Sequence, residues 1–412
     1  MKRAFAHVLA VPLIFAPTIQ PAISAVWNQV NLPSQYWQSA TVSADGSHMY
    51  AVSGDFAYPW LSTDYGNTWR QNTNGAQDNW YAIICSSDGS QIMAVNNGGN
   101  MFFSGNDGIN WTQGGPFPDG NASQWGAIGC SADGSKYLAA EVVDHGNPGL
   151  VYLSSDSGSN WTNPNLASNN WVNGTMSADG STLVLGTQNS LYISTDGGTS
   201  WNTTNLTSQG WAGITASADG TRLAAVDGGA NIFTSTNKGV SWVHQLNISP
   251  AITTPPSRLA ASANGTRLAL SVYPGVIVSG NPPGIYFSLD SGNTWTKDFN
   301  APSQIWRALT ISGDGWHVVA GAHDTTMLNG QGPLYIAQLP RILPLNIAIS
   351  GTNLAFSWLY QSNNPVLQQK PGLTATNWTA VTNSPTFDPA TLINQVILPR
   401  PAGSTFYRLA AP

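Results

Sequence analysis

The sequence is dominated by an eight-residue phrase that occurs six times, with the frame Ser-x-Asp/Asn-x-Gly-x-Thr/Ser/Asn-Trp. Its copies begin at Ser62, Ser104, Ser154, Ser194, Ser235 and Ser288. A fixed period of this kind indicates one supersecondary unit per repeat, each stacked on its neighbours. The repetition also predicts that most Asp and Trp residues in the chain belong to the scaffold.

A second phrase, Ser-Ala-Asp-Gly-Ser/Thr with variants, alternates with the first and recurs at steps of 40 to 50 residues. Its third residue is Asp45, Asp88, Asp133, Asp179, Asp219, Asn264 and Asp314. Short apolar runs separate the phrases, and Asp-Gly between such runs is typical of a tight turn between antiparallel strands. Four strands in about 40 to 45 residues is the period of a β-propeller blade.

The seventh repeat lacks the eight-residue phrase and its outermost strand, and it ends near Gln338. The missing strand has a match at the other end of the chain, where residues 26–32 resemble outer-strand sequences such as residues 241–247. We therefore predict an all-β fold, a seven-bladed β-propeller over residues 26–340 that the N-terminal strand closes. Closure of this kind hides sheet edges that would otherwise lack partners.

Segments without the repeat flank the propeller region on both sides. Residues 1–25 have the pattern of a signal peptide, with a basic start, an apolar stretch and small residues around Ser24. The apolar stretch is shorter than the roughly 20 residues that span a membrane, so we expect export to the outside or the cell surface and no membrane span. After a linker at residues 341–344, residues 345–412 predict short strands in a small β-sandwich.

Composition narrows the possible partners. Charged residues form only 8% of the chain and the net charge is −6, with no basic stripe that would neutralise phosphates, so a nucleic-acid partner is not expected. The two cysteines, Cys85 and Cys130, occupy the same position in neighbouring repeats. That spacing favours two buried thiols over a disulfide, although both readings stay open. We expect a monomer without metal or cofactor.

The eight-residue phrase resembles the Asp-box, or BNR repeat, of the sialidase superfamily. That family includes sialidases, xyloglucan-degrading glycosidases, sortilin-type receptors and photosystem II assembly propellers. The resemblance implies that the third residue of each copy shapes a hairpin and does no chemistry; these residues are Asp64, Asn106, Asp156, Asp196, Asn237 and Asp290. The C-terminal segment resembles the fibronectin type III-like modules of secreted bacterial proteins.

Both phrases should lie on one face of a propeller, so function is expected in the long loops of the opposite face. Arg258 and Arg307 begin the first strand of adjacent repeats, where an anion or a uronic acid could bind between them, unless they merely solvate the rim. The predicted ligand-binding residues are Tyr81, Arg258, Arg307, His323 and Asp324.

Catalysis has weaker support. The resemblance implies an Arg-Ile-Pro motif and a Tyr–Glu pair for a sialidase, but the motif is absent and Glu141 is the one glutamate of the chain. A glycosidase needs two carboxylates about 5 to 9.5 Å apart, for which the candidates are Glu141, Asp144 and Asp119. We predict a non-catalytic, secreted propeller that binds a glycan or a surface protein. The alternatives are a glycoside hydrolase and a structural envelope component.

Overall fold

The computed structural model describes residues 25–74, 76–116, 124–142, 149–204, 206, 208, 210–229, 231–245, 256–272, 284–323, 330–339, 346–350, 352–359, 366–371, 377–388, 393–401 and 405–410. Every regular element within these ranges is a β-strand. The chain divides into two compact units, Met1–Pro340 and Arg341–Pro412.

The described residues of the first unit form seven antiparallel sheets, numbered here in chain order. Sheet 1 comprises β2 (Trp37–Val42), β3 (Met49–Ser53), β4 (Trp60–Ser62) and β5 (Arg70–Gln71). Sheet 2 comprises β6 (Trp80–Cys85), β7 (Ile92–Asn96), β8 (Met101–Ser104) and β9 (Thr112–Gly114). Sheet 3 comprises β10 (Trp125–Cys130), β11 (Tyr137–Glu141) and β12 (Val151–Ser154). Sheet 4 comprises β13 (Asn173–Met176), β14 (Leu183–Gly186), β15 (Leu191–Ser194) and β16 (Asn202–Thr203). Sheet 5 comprises β17 (Trp211–Ala216), β18 (Leu223–Asp227), β19 (Ile232–Ser235) and β20 (Val243–Gln245). Sheet 6 comprises β21 (Pro256–Ala261), β22 (Leu268–Val272), β23 (Gly284–Ser288) and β24 (Thr296–Lys297). Sheet 7 comprises β25 (Ile305–Ile311), β26 (His317–His323), β27 (Leu334–Gln338) and β1 (Val26–Gln29).

Sheet 7 joins the two ends of the first unit. Its strand order is β1-β27-β26-β25, and β1 runs antiparallel to β27 with Val26 opposite Gln338 and Gln29 opposite Tyr335. In sheet 3, where β12 is the last named strand, an isolated bridge between Leu153 and Thr162 occupies the fourth position. The outermost position of sheet 7 is therefore filled from the opposite end of the chain.

The hydrophobic core lies between neighbouring sheets. The second strand of sheets 1 to 6, such as Met49–Ser53 in sheet 1, is buried along its whole length, as expected for a strand covered on both faces. In sheet 7 the same strand is buried except at its half-buried ends, His317 and His323. One cluster joins Tyr50 and Leu61 of sheet 1 to Trp80 and Ile83 of sheet 2. Burial of large side chains in these layers is the main favourable contribution to the fold.

A ring of backbone hydrogen bonds connects the turns that follow the first strands. The N–H of Ala44 donates to Ser87 O at 2.7 Å, and the N–H of Ser87 donates to Ala132 O at 2.7 Å. The series continues from sheet to sheet, and the N–H of Asp314 in sheet 7 donates to Ala44 O at 2.7 Å, which brings the series back to sheet 1. The intermediate links are Ala132 to Ala178, Ala178 to Ala218, Ala218 to Ala263 and Ala263 to Gly313.

The eight-residue phrase forms a turn that its own side chains stabilise. In the first copy, Asp64 Oδ1 accepts hydrogen bonds from the Thr68 N–H at 2.8 Å and from the Ser62 hydroxyl at 2.8 Å. The residue at the centre, Gly66, has a φ of 81°, which an L-residue with a Cβ rarely adopts. The Tyr65 N–H donates to Ser47 O at 3.0 Å, so the two repeated turns of a sheet lie side by side on one face.

The second unit contains two antiparallel sheets of its own. One has the order β28 (Asn346–Ser350), β29 (Asn353–Leu359), β33 (Ile393–Pro399), β32 (Thr386–Asp388), and the other has the order β31 (Thr379–Ala380), β30 (Val366–Pro371), β34 (Thr405–Ala410). Both contribute to one core, with Phe356, Trp358 and Val396 from the first sheet and Leu367 from the second.

Two phenylalanines in sheet 6 and the segment after it provide a matched test of the core. Phe287 is fully buried at 0% exposure, whereas Phe299 is 81% exposed. Phe287→Ala should lower the free energy of unfolding by about 3 to 5 kcal/mol, because it leaves a cavity. Phe299→Ala should change it by no more than about 0.5 kcal/mol. Urea unfolding of both variants tests this, and equal losses would contradict the assigned core.

Acid should weaken the turns. Hydrogen bonds, led by those from Ser131, Ser177 and Ser200 respectively, lower the pKa of Asp133, Asp179 and Asp196 to about 2. A carboxylate with a lowered pKa in the folded state stabilises the fold above its unfolded pKa of about 4 and loses that effect as the pH falls toward its folded pKa.

We therefore expect the Tm to fall between about pH 4 and pH 2, measured by circular dichroism. The triple variant D133N/D179N/D196N is the control, because natural asparagines already accept such hydrogen bonds in equivalent turns. Asn264 accepts the Thr266 N–H at 3.0 Å in a turn equivalent to those of Asp133 and Asp179, and Asn106 accepts the Asn110 N–H at 2.9 Å in a turn equivalent to that of Asp196. The Tm of the triple variant should fall less steeply with pH. An identical decline in both proteins would show that these turns do not titrate as expected.

Candidate ligand-binding site

The site is built on an irregularity that recurs in the first strands. Register shifts between Trp37 and Ser39 in sheet 1 and between Trp306 and Ala308 in sheet 7 mark β-bulges. A bulge inserts one extra residue and re-aims its side chain. The bulged residues in these two sheets are Gln38 and Arg307.

Two arginines converge on Gln38 at this end of the first strands, and the resulting group of side chains is here called the arginine cluster. Arg307 Nη1 donates to Gln38 Oε1 at 3.4 Å, and Arg258 Nη2 donates to Gln38 O at 3.5 Å. The Arg307 guanidinium carbon lies 4.6 Å from the ring centre of Tyr36. The same ring has an edge contact with His323, with ring centres 5.4 Å apart.

The contact between Arg258 and Gln38 locates the cluster within the ring of sheets. Arg258 belongs to sheet 6 and Gln38 to sheet 1, so the contact passes over sheet 7. Arg258 also interacts electrostatically with Tyr81 of sheet 2. Side chains that join non-adjacent sheets must extend over the central space of the ring.

The electrostatics of the cluster favour an anion. Burial, with a smaller contribution from the like charge of Arg307, lowers the pKa of Arg258. Within the described ranges no carboxylate forms a salt bridge with Arg307. Guanidinium groups bind carboxylates in a planar, two-pronged geometry, and half-buried positions strengthen such contacts. The arrangement can therefore hold a carboxylate near Arg307 and needs no nucleophile or general base to do so.

The structure brings together four of the five predicted ligand-binding residues, Tyr81, Arg258, Arg307 and His323; Asp324 lies outside the described residues. All four are half-buried. Sequence reasoning missed Tyr36 and Gln38, which complete the cluster. The position of Gln38, directly after a repeated Trp and equivalent to that of Arg307, was the one signal that could have identified it.

The acidic residues in the loops and at the strand ends next to them have structural partners. Glu141 is 5% exposed and its carboxylate accepts the Leu150 N–H at 2.9 Å. Asp78 accepts the Asn96 side-chain amide at 2.6 Å, and Asp227 accepts the Gly229 N–H at 2.9 Å. Each of these carboxylates stabilises its own loop. The other two candidate catalytic residues, Asp119 and Asp144, lie outside the described residues.

No group of three or more His, Cys, Asp or Glu side chains in the described part of the chain has the arrangement of a metal site. Cys85 and Cys130 are free thiols that line a central cavity of about 200 Å³ at the turn end of the first strands. Cys130 Sγ donates to Cys85 O at 3.1 Å. Burial raises the pKa of the Cys85 thiol to about 12, so it stays protonated at neutral pH. The reading as unreactive, unbridged thiols fits this geometry.

A groove of about 560 Å³ lies on the outer side, between sheets 4 and 5. Strand β16 and the turn at Lys238–Trp242 line it, and Val240 in that turn is 83% exposed. The groove contains one charged side chain, Lys238, among mostly neutral ones. Its position on the rim separates it from the arginine cluster, whose side chains cross the central space.

Solved structures resemble the first unit in fold. A streptogramin B lyase structure aligns over 77% of this chain and 98% of its own, with 15% identity and a TM-score of 0.58. A structure of YCF48 bound to D1 peptide aligns over 77% of this chain and 99% of its own, with 19% identity and a TM-score of 0.55. U3-55K aligns over 76% and 98%, with 10% identity and a TM-score of 0.58.

The first unit is a β-propeller. Identities this low establish the fold alone and carry no activity across. No protein-family model and no curated protein matches the chain. Among the described segments of the propeller and of the second unit, none forms a helix long and apolar enough to cross a membrane.

Proposed function

We propose that this chain is a secreted, non-catalytic recognition protein that binds an acidic partner at the arginine cluster. The partner is a carboxylate-bearing glycan or an acidic segment of an extracellular protein. The observation that carries the proposal is the convergence of Arg258 and Arg307 on Gln38, over the central space of the propeller. An anion placed there would offset the repulsion between two half-buried guanidinium groups.

The proposal includes the finer architecture. Seven sheets, the backbone ring through Ala44 and the pairing of β1 with β27 support a closed, seven-bladed Asp-box propeller. The shared core of the two smaller sheets supports a fibronectin type III-like sandwich as the second unit. The pattern of residues 1–25 supports export, as expected for a protein that recognises an extracellular partner.

Two observations bear on the kind of partner and on catalysis. A propeller of similar fold, YCF48, has been solved with a bound D1 peptide, which supports a protein segment as one possible ligand. Against a hydrolase, the Glu141 carboxylate is buried and accepts the Leu150 N–H. A glycosidase requires a pair of carboxylates that flank the substrate, and the cluster offers cations and aromatic rings instead.

A binding panel tests the proposal with the exported full-length protein. The probes are polygalacturonate, a neutral glucan and a poly-glutamate peptide. Binding of each is measured by calorimetry, and the two polysaccharides are also assayed for release of reducing ends. We expect binding to one acidic probe, no binding to the neutral glucan and no release of reducing ends. Hydrolysis of either polysaccharide would favour the glycoside hydrolase instead.

Variants of single arginines locate the binding site. Arg307→Gln removes a charged donor of the cluster and should weaken binding about tenfold to a hundredfold, the range for one charge-assisted contact. Arg70→Gln is the matched control, because Arg70 is exposed on the edge strand β5 and far from Gln38 in the sheet order. Equal losses in both variants would show that binding is non-specific charge attraction, and no acidic binding at all would overturn the proposal.

A further inference from the structure

The six tryptophans of the repeated phrase share one hydrogen bond that Trp27 does not have. In each copy the indole N–H donates to the carbonyl of the glycine three residues earlier, as from Trp69 to Gly66 at 3.1 Å. The other five pairs are Trp111–Gly108, Trp161–Gly158, Trp201–Gly198, Trp242–Gly239 and Trp295–Gly292. Strand β1 carries no such phrase, and the Trp27 indole N–H donates instead to Asp298 Oδ2 at 2.7 Å.

Asp298 is a buried carboxylate at the point where the chain enters strand β1. It is 1% exposed, and it also accepts the Asn300 N–H at 3.0 Å and the backbone N–H of Ala25. Ala25 is itself 1% exposed, and its carbonyl accepts the Asn300 side-chain amide at 3.2 Å. Ala25 thus has a specific buried position beside the carboxylate.

The described surroundings of Asp298 provide hydrogen-bond donors but no ion-pair partner. Among the described residues no Lys, Arg or His side chain forms a salt bridge with it. The neighbouring Lys297 has its ammonium group 5.6 Å from the centre of the Phe299 ring. Burial raises the pKa of Asp298, and its hydrogen-bond donors oppose this effect. A buried carboxylate without a counter-ion is costly, and a cation at hydrogen-bond distance would remove most of that cost.

We propose that Asp298 binds the α-ammonium group that forms at Ala25 when the signal peptide is cut between Ser24 and Ala25. The backbone nitrogen of Ala25 already donates to this carboxylate, so the cut would turn an amide donor into a charged one in place. This inference rests on the proposed export. The sequence alone predicts a cut after Ala25, and this inference places the cut one residue earlier.

The chemistry balances as an ordinary hydrolysis by a signal peptidase. One water molecule is consumed as the Ser24–Ala25 amide bond breaks, leaving a carboxylate on Ser24 and an amine on Ala25 that takes up a proton at neutral pH. The small side chains of Ala22 and Ser24 fit the positions before a signal-peptide cut. The new ion pair would anchor strand β1 against sheet 6 only after processing.

Mass spectrometry of the exported protein tests the cleavage point. We expect a mature chain that begins at Ala25; a chain that begins at Val26 would overturn the inference, because the residue beside Asp298 would be gone. The result does not depend on ligand binding, so it stands apart from the recognition proposal.

The ion pair is tested separately with protein released from a removable N-terminal fusion, which needs no export. One form begins at Ala25 and the other retains Ser24. The Ser24 extension should lower the Tm by about 2 °C or more in the wild-type background, because it converts the ammonium back to an amide. In an Asp298→Asn background the extension should have no effect, and the same loss in both backgrounds would overturn the proposal.

A chemical measurement covers the case in which Asp298→Asn does not fold. Only a neutral amine is acylated, and each unit by which an ion pair raises its pKa lowers the neutral fraction about tenfold. The Ala25 amine should therefore react with an N-hydroxysuccinimide ester at least about tenfold more slowly than the amine of the Ser24-extended form. Asp64→Asn is the control, because an asparagine, Asn106, already occupies the equivalent position in the next copy of the phrase. This variant should leave the difference in rate between the two forms unchanged. Equal rates for the two forms would overturn the inference.

Discussion

The ring of backbone hydrogen bonds from Ala44 through successive turns and back from Asp314 is the constraint on which the rest of the first unit depends. Each link joins two sheets that share no strand, so it sets the angle between sheets that side-chain packing alone would leave adjustable. The ring holds the first strands around a central space. Because the arginine cluster combines residues of sheets 1, 6 and 7, its geometry exists only while the ring is intact.

Much of the fold could be predicted because its causes are local. The hydrogen bonds of Asp64 are to Ser62 and Thr68, and the indole of Trp69 bonds to Gly66, so all the determinants lie within one eight-residue phrase. Because the phrase occurs six times, the same local prediction applies at six places in the chain. The candidate site was only partly predictable. Arg258 and Arg307 stood out as charges in a chain with few, but the role of Gln38 depends on a bulge and on contacts across the ring.

The roles of the acidic residues could not be predicted from the sequence either. Glu141, the last residue of β11, and Asp78, in a loop, lie where a catalytic carboxylate would be expected, and nothing in their sequence neighbourhood distinguishes them from one. The structure distinguishes them, because Glu141 accepts the backbone N–H of Leu150 and Asp78 accepts the side-chain amide of Asn96. A carboxylate that holds its own loop in this way is poorly placed to exchange protons with a substrate.

A closed ring of repeats must join its two chain ends somewhere, and that position cannot obey the repeat. In the proposed closed propeller the junction is sheet 7, where β1 lacks the turn that supports the six tryptophans of the repeated phrase. A local hydrogen bond is replaced there by a contact between Trp27 and Asp298, residues far apart in sequence. A neutral carbonyl would satisfy the indole equally well, so a carboxylate at this position requires another reason. The adjacent buried Ala25 nitrogen provides one under the proposed processing, since a negative charge would gain most from a donor that the cut makes positive.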